Sequence, residues 1–213
     1  MTPWVDDKTL KGPLLKFVNP DVPAAIEAGR PLSIDLGCGE TVPAGRFGVD
    51  RRALPGVSVV ADLNLPLDLF PDRSVEFVSA SHAFEHVSKL DGLMDEIHRV
   101  LTAQGRLTVV VPHAANPLSW SDPTHVRMFG LYSLGHFCPA EHQLLRRPVP
   151  CYRSDHLFRV VGVRLCFRPT SAVMRLFERV VNSSARVQEW YEKNLQRVVW
   201  AYEIHWDMIP LGK

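Results

Sequence analysis

The spacing of apolar positions changes period several times along the chain. "LSIDLGC" (32–38) is a continuous apolar run ending in glycine, the pattern of a strand buried on both faces. "RFGVD" (46–50), "VSVVAD" (57–62) and "SVEFVSAS" (74–81) are predicted as three more strands, and "RLTVVV" (106–111), closed by Pro112, as a fifth. Between 90 and 101, "LDGLMDEIHRVL" switches to helical spacing, with Leu90, Leu93, Met94, Ile97 and Leu101 on one face. Asp91 in its first turn and His98 and Arg99 in its last agree with the helix dipole, and Gly105 suits the turn that follows. "LFRVVGVRLCF" (157–167) reads as a sixth strand, about 171–197 as helical, and "VVWAYEIHWDMI" (198–209) as a last, antiparallel strand.

Strands alternating with helices predict an α/β protein built on a parallel sheet. The 213 residues suffice for a single domain over 1–213, with 1–31 as an N-terminal extension. Residues 112–156 are rich in Pro, His and Ser and have no clear period. So long a stretch is predicted to hold short helices or a cover over a substrate site.

Composition narrows the setting. "MTPWVDDKTLKG" lacks the apolar core of a signal peptide, and the longest aliphatic run, "LTVVVP", is too short for a bilayer. Cys38, Cys138, Cys151 and Cys166 show no C-x-x-C spacing, so reduced thiols and a cytoplasmic location are expected. The net charge of +1 divides unevenly: −5 over 1–145, +7 over 146–186 with its nine arginines, and −1 beyond. That basic segment is either a solvated helix face or a surface for an anionic acceptor. The near-zero total argues against a nucleic-acid partner.

The chemistry starts at "DLGCGE", a turn at the carboxyl end of the first strand, where open α/β sheets bind ligands. A dinucleotide fingerprint needs a third glycine, but Thr41 and Val42 follow Glu40, and Glu40 would repel a phosphate. The Gly-Lys-Ser/Thr of a P-loop is absent too. Nicotinamide oxidoreduction is therefore disfavoured. Asp35, Asp50 and Asp62 end three strands, an acidic set that suits a cationic ligand without phosphates. S-adenosylmethionine is such a ligand. Asp50 would accept from its ribose hydroxyls and Asp62 from its adenine amino group.

"DLGCG", "GVD", "VVADL", "PLDLFPDRSVEFVSASHAFEHV", "LMDEIHRVLTAQGRLTVVVP" and "AYEIHW" together resemble the class I S-adenosylmethionine-dependent methyltransferases, close to the type 11 domain. The resemblance covers roughly 32–112 and returns near the C-terminus. It implies a Rossmann-like three-layer sandwich whose seven-stranded, mostly parallel sheet has the order 3-2-1-4-5-7-6, strand 7 being antiparallel. It also implies S-adenosyl-L-methionine as cofactor and methyl transfer to an acceptor. Only "ETVPAGR" separates Gly39 from the second strand, so the family's first helix is expected to be shortened or missing.

Cofactor contacts are expected from Asp35, Gly37, Cys38, Gly39, Asp50, Arg51, Asp62, Leu63, Ser81 and His82. His82 and His86, with Glu85 between them, resemble a metal pair on a helix. The sequence fixes no third ligand, so no metal is expected. After the fifth strand come His113 and then "SDPTHVR", which brings Asp122, His125 and Arg127 within six residues. His125 oriented by Asp122 is a candidate general base, and His113 is another. His86, Trp120, Arg127, Phe129 and Tyr132 are candidate substrate contacts, Arg127 for a carboxylate or phosphate. The alternative is that Asp122 caps a helix and pairs with Arg127 while His125 packs. Trp190, Tyr191, Trp200 and Trp206 are read as core or interface, which leaves a homodimer open. The expected activity is methylation of a small molecule at a hydroxyl, of the sugar or secondary-metabolite type. N-methylation and a non-catalytic cofactor-binding partner on the same fold are the alternatives. An Asn/Asp-Pro-Pro-Tyr/Phe motif, which would mark base methylation, is absent where "SHAFEH" stands.

Overall fold

The computed structural model describes residues 15–155 and 157–212. The reading of the N-terminal twelve residues lies outside the described residues. One sheet of eight strands organises the chain, in the order β1-β4-β3-β2-β5-β6-β8-β7. The strands are β1 (Leu15–Phe17), β2 (Leu32–Leu36), β3 (Phe47–Asp50), β4 (Val57–Ala61), β5 (Val75–Ser81), β6 (Leu101–Pro112), β7 (Phe158–Cys166) and β8 (Glu203–Pro210). The helices are α1 (Asp21–Glu27), α2 (Leu90–Val100), α3 (Pro117–Ser121), α4 (Ala172–Val181) and α5 (Ala185–Asn194).

The sheet has one strand more than the seven expected. The expected order survives as the run β4-β3-β2-β5-β6-β8-β7, with β8 antiparallel to both β6 and β7. The extra strand, β1, pairs antiparallel with the outer side of β4. The opposite edge, β7, is met by side chains: the Asn182 amide bonds both the N–H and the C=O of Leu165, and Gln188 donates to the Val163 carbonyl. The β7 edge is thus partly covered, and on the other side β1, only three residues long, is the edge strand, which keeps the exposed ladder short.

One face of the sheet presents Ile34, Leu36, Val78, Ala80, Leu107, Val109, Trp206 and Met208, all buried in a single hydrophobic cluster. Leu90, Leu93, Met94 and Ile97 of α2 join the same cluster, as the helical spacing predicts; the helix ends at Val100, also buried, so Leu101, expected on the same helical face, is instead the first residue of β6. The other face is polar. Asp35 meets Ser79, Thr108 donates to Asp207 at 2.8 Å, and the Arg46 guanidinium lies over Phe77 with 4.6 Å to the ring centre. No helix occurs in 37–46, 51–56 or 62–74, so the crossovers linking β2 to β5 lack the helices of a full third layer.

Three local readings change. The turn expected at Gly105 lies inside β6, where the register skips from Val75↔Leu101 to Phe77↔Arg106 as a bulge. The helical stretch 171–197 breaks after Asn182 into α4 and α5, whose N-caps Ser171 and Ser184 accept from Met174 and Val187. β1 and α1 carry little signal, being three and seven residues long. Among the described residues no helix is long and apolar enough to cross a membrane, and all four cysteines are free.

Candidate functional site

The carboxyl ends of β2, β3, β4 and β5 enclose a cavity of about 400 Å³. Its walls include Gly37, Gly39, Asp50, Arg51, Asp62, Leu63 and His82, seven of the ten residues expected to contact the cofactor. The glycine turn is built for this place. Gly37 has φ of +69°, and a Cβ there would stand 2.5 Å from the Ala83 Cβ, so only glycine lets the turn pass beneath the chain leaving β5. Asp50 holds the turn, with Oδ2 accepting from the Gly39 N–H at 3.0 Å and Oδ1 from the Arg52 N–H at 2.9 Å. Asp62 accepts from both the backbone and the amide of Asn64, at 2.9 and 3.0 Å. The Asn64 oxygen in turn accepts from the N–H groups of Ser88 and Lys89, at 2.8 and 3.1 Å. Each carboxylate keeps further lone pairs for a ligand's hydroxyl or amino hydrogens. Size and donor–acceptor character both fit S-adenosylmethionine, with Asp50 and Asp62 as the polar anchors.

Asp35, Cys38 and Ser81 lie elsewhere. They line a second depression, of about 390 Å³, that shares Gly37 with the first. Asp35 is 5% exposed, hydrogen-bonded to Ser79, and 3.9 Å from Arg46. Burial raises its pKa above the usual carboxylate range, against the lowering by Ser79 and Arg46. Burial also pushes the Cys38 thiol up to about 12, helped by the charges of Asp50 and Asp35, so it stays protonated.

A third depression, of about 570 Å³, opens beside the cofactor cavity. His82, His86 and Thr124 border both. Glu85, Asn116, Asp122, His125 and Tyr202 complete much of its wall. Two segments some forty residues apart are stitched together to make it. The Val126 N–H donates to the Glu85 carbonyl at 2.9 Å. Arg127 donates to the carbonyls of Val87 and Ser88 at 3.1 and 2.8 Å. His86 Nδ1 lies 3.0 Å from the Thr124 hydroxyl, which donates to Asp122 Oδ1 at 2.6 Å.

The ring nitrogens have assignable roles. His125 Nδ1 donates to the Ser119 carbonyl at 2.9 Å, leaving Nε2 as the lone-pair nitrogen. That Nε2 stands 3.7 Å from Asp122 Oδ2 and 4.0 Å from Glu85 Oε1. Glu85 is 2% exposed, and neither carboxylate oxygen has a hydrogen-bond partner. Hydrogen bonds from Thr124 lower the Asp122 pKa. His82 sits at φ +53°, a strained left-handed conformation for a non-glycine residue. Its contact with Glu203 at 3.0 Å and the Glu85 carboxylate 3.5 Å away raise its pKa to about 9. Glu203, between His205 and His82, is lowered to about 2.

Several expected site residues belong to the scaffold instead. His113 is fully buried; its Nε2 donates to Glu192 at 3.0 Å and its Nδ1 accepts from the Ala115 N–H, so no face meets a cavity. Phe129 is in the core, edge-on to Trp206. Arg127 clamps backbone rather than offering its guanidinium to an anion. Trp120 is 68% exposed and donates to the Ala114 carbonyl. Tyr132 lines a separate basic depression with Arg146, Arg147, Arg186 and Lys193. Glu85, Thr124 and Asn64 were not singled out for the site. Asn64 two residues after Asp62 is a readable Asx pattern; Glu85 is marked only by its place between His82 and His86, and nothing local marks Thr124.

The family model described as "Methyltransferase domain" matches residues 47–109. No curated protein matches significantly. Among solved structures, the chain is similar to a SAM-dependent methyltransferase from Archaeoglobus fulgidus, at 17% identity over 90% of this chain and 91% of that one, with a TM-score of 0.53. It is also similar to a chain from the Haloferax volcanii complex that contains the Trm112 methyltransferase activator, at 16% identity over 86% and 83%, with a TM-score of 0.54. At these identities the likeness is one of fold. Residues 47–109 match the methyltransferase domain model, the fold is that of S-adenosylmethionine-dependent methyltransferases, and the cavity fits S-adenosyl-L-methionine as the cofactor.

Proposed function

We propose that the protein methylates a hydroxyl of a small-molecule acceptor held in the depression around His82, Glu85, His86, Thr124 and His125. The observation that supports this reading is the shared wall: the same three residues border the cofactor cavity and that depression. When bound, the cofactor supplies an electrophilic methyl group on a sulfonium.

The chain's own residues must hold two ligands side by side, keep water away, and take up the acceptor's proton. Asp50 and Asp62 would anchor the nucleoside. The Glu85–His125 cluster would receive the acceptor. A neutral alcohol is a poor nucleophile and needs a proton acceptor, and His125, with Nδ1 held by the Ser119 carbonyl, offers its Nε2 as that acceptor, 3.7 Å from Asp122 and 4.0 Å from Glu85. An amine acceptor would need only positioning, and this cluster would then have no task.

The test measures S-adenosylhomocysteine release over matched hydroxyl and amine acceptors, with wild type and His125→Asn. Turnover on a hydroxyl acceptor that falls in the variant is expected. Turnover on amines alone, unchanged in the variant, would overturn the reading.

A further inference from the structure

We infer that Glu85, His86 and His125 form a binding site for one first-row divalent cation, such as zinc or manganese, whose remaining coordination positions take an oxygen of the acceptor. The ligand atoms these three residues offer lie within 4.8 Å of one another. "SHAFEH" supplies two of them and "SDPTHVR" the third, brought together by the backbone stitching between 85–88 and 124–127.

Three features separate this cluster from an incidental group of polar side chains. Glu85 is 98% buried, yet both carboxylate oxygens lack hydrogen-bond partners. An ionised carboxyl in that state is strongly unfavourable unless cations meet it; His82 faces Oε1 from 3.5 Å as one counter-ion, and no ion pair to Oε2 is seen among the described residues. The neighbouring rings approach Oε1 at ion-pair rather than close hydrogen-bond distance, 3.5 Å for His82 Nδ1 and 4.0 Å for His125 Nε2.

The second feature is the ring orientation. His125 Nδ1 donates to the Ser119 carbonyl at 2.9 Å. His86 Nδ1 lies 3.2 Å from the Thr124 carbonyl and 3.0 Å from its hydroxyl, whose own hydrogen goes to Asp122. Both rings therefore carry their proton on Nδ1 and keep Nε2 as a lone pair. That is how metal-ligating histidines are oriented by the groups behind them.

The third feature is space. The cluster borders the 570 Å³ depression, so a bound ion would retain positions open to a ligand. Ligands of a tetrahedral ion at about 2.1 Å stand about 3.4 Å apart, so the side chains need to close by the order of 1 Å. His86 is exposed and can make that adjustment. Asp122 Oδ2, 3.7 Å from His125 Nε2, is in reach as a further ligand, direct or through water.

Two imidazoles and one carboxylate choose the ion. The set matches catalytic zinc sites and the two-histidine, one-carboxylate triad of first-row metals. Magnesium and calcium, which want oxygen ligands only, fit poorly. With the cation bound, His125 is a ligand in place of the base of the reading above; the ion would lower the acceptor hydroxyl's pKa, and the hydroxyl's proton would pass to solvent water through the open depression. That role for the acceptor's oxygen rests on the hydroxyl reading above; the cation site itself does not.

The experiment titrates the chelator-treated full chain with Co²⁺, followed by visible absorbance, with Zn²⁺ as competitor. Wild type should bind one equivalent, displaced by Zn²⁺. Glu85→Gln and His125→Gln should each weaken binding at least about 100-fold. S-adenosylhomocysteine, titrated into all three proteins, should bind them alike and so report an intact fold. If His125→Gln fails to fold, Glu85→Gln, which removes the buried carboxylate charge, still decides the matter. The inference is overturned if wild type gives no Co²⁺ absorbance, or if Glu85→Gln binds as tightly as wild type. Absence of S-adenosylhomocysteine binding in every protein would instead count against the methyltransferase reading, and would leave the metal result standing.

Discussion

The two cavities that meet at His82 and His86 are made in different ways. On the cofactor side, each acid is held by its own neighbourhood: Asp50 by the N–H groups of Gly39 and Arg52, and Asp62 by Asn64. On the acceptor side, Glu85 and His125 are forty residues apart and meet through backbone bonds and an arginine clamp. The first region is a set of strand-end turns that any chain of this pattern would form. The second exists only when the segment after β6 folds back on the segment after β5. A cofactor site can therefore be read in short motifs, whereas an acceptor site depends on tertiary closure.

Separate damage to the two regions tests that contrast. The largest effect is expected at His125. His125→Asn should lower turnover by about 10²–10⁴-fold while leaving S-adenosylhomocysteine affinity unchanged. Steady-state rates and calorimetry on the same preparation check this, and a matching loss of cofactor affinity would merge the two regions into one.

Asp50→Ala should do the reverse. Hydrogen bonds to a charged acceptor contribute roughly 1.5–3 kcal/mol, so cofactor affinity should fall at least about tenfold. An unchanged dissociation constant in a folded variant would remove Asp50 from the ribose contact.

Gly37→Ala tests the turn itself. The left-handed conformation and the 2.5 Å approach to Ala83 should cost about 1–3 kcal/mol, read as a fall in Tm of several degrees. A variant as stable as wild type would mean that the turn is not constrained by this contact.

Arg127→Ala distinguishes clamp from anion receptor. A clamp predicts a stability loss of about 1–2 kcal/mol in the free protein, with turnover falling as the two segments loosen. An anion receptor predicts a higher Michaelis constant for the acceptor at unchanged stability.

The smallest effect is a pH dependence in the scaffold. Glu96 is lowered by its bond to Arg99, with a further contribution from the Leu67 N–H. A depressed folded pKa means that this stabilisation is present above the ordinary glutamate range and is lost as pH falls through the lowered value. Denaturant midpoints for wild type and Glu96→Gln should therefore converge on acidification. A gap that stays constant would show that Glu96 contributes through shape alone.

The same contrast governs what was legible. β2 to β8 announce themselves by apolar runs, and the spacing of Leu90, Leu93, Met94 and Ile97 places α2. β1 was not visible because three residues carry no period, and it matters only through its pairing with β4. His113 looked like a base because it lies just past a strand end. Yet Leu107, Val109 and Val111 alternate inward, and His113 continues that alternation into the core, where Glu192 of α5 receives it. Arg127 looked like an anion receptor because sequence shows charge but not which carbonyls stand opposite. The glycine turn and its acids were readable because their partners lie two to eleven residues away. The burial of Glu85 and its approach to His82 and His125 exist only in three dimensions, so its sequence neighbours do not show it as a site residue.

The central claim is that the cavity at the ends of β2 to β5 takes S-adenosylmethionine. Isothermal titration of the full chain with S-adenosylhomocysteine, and separately with NAD, tests it most directly. One site of micromolar affinity for S-adenosylhomocysteine and no comparable heat with NAD are expected. Binding of NAD without binding of S-adenosylhomocysteine would contradict it.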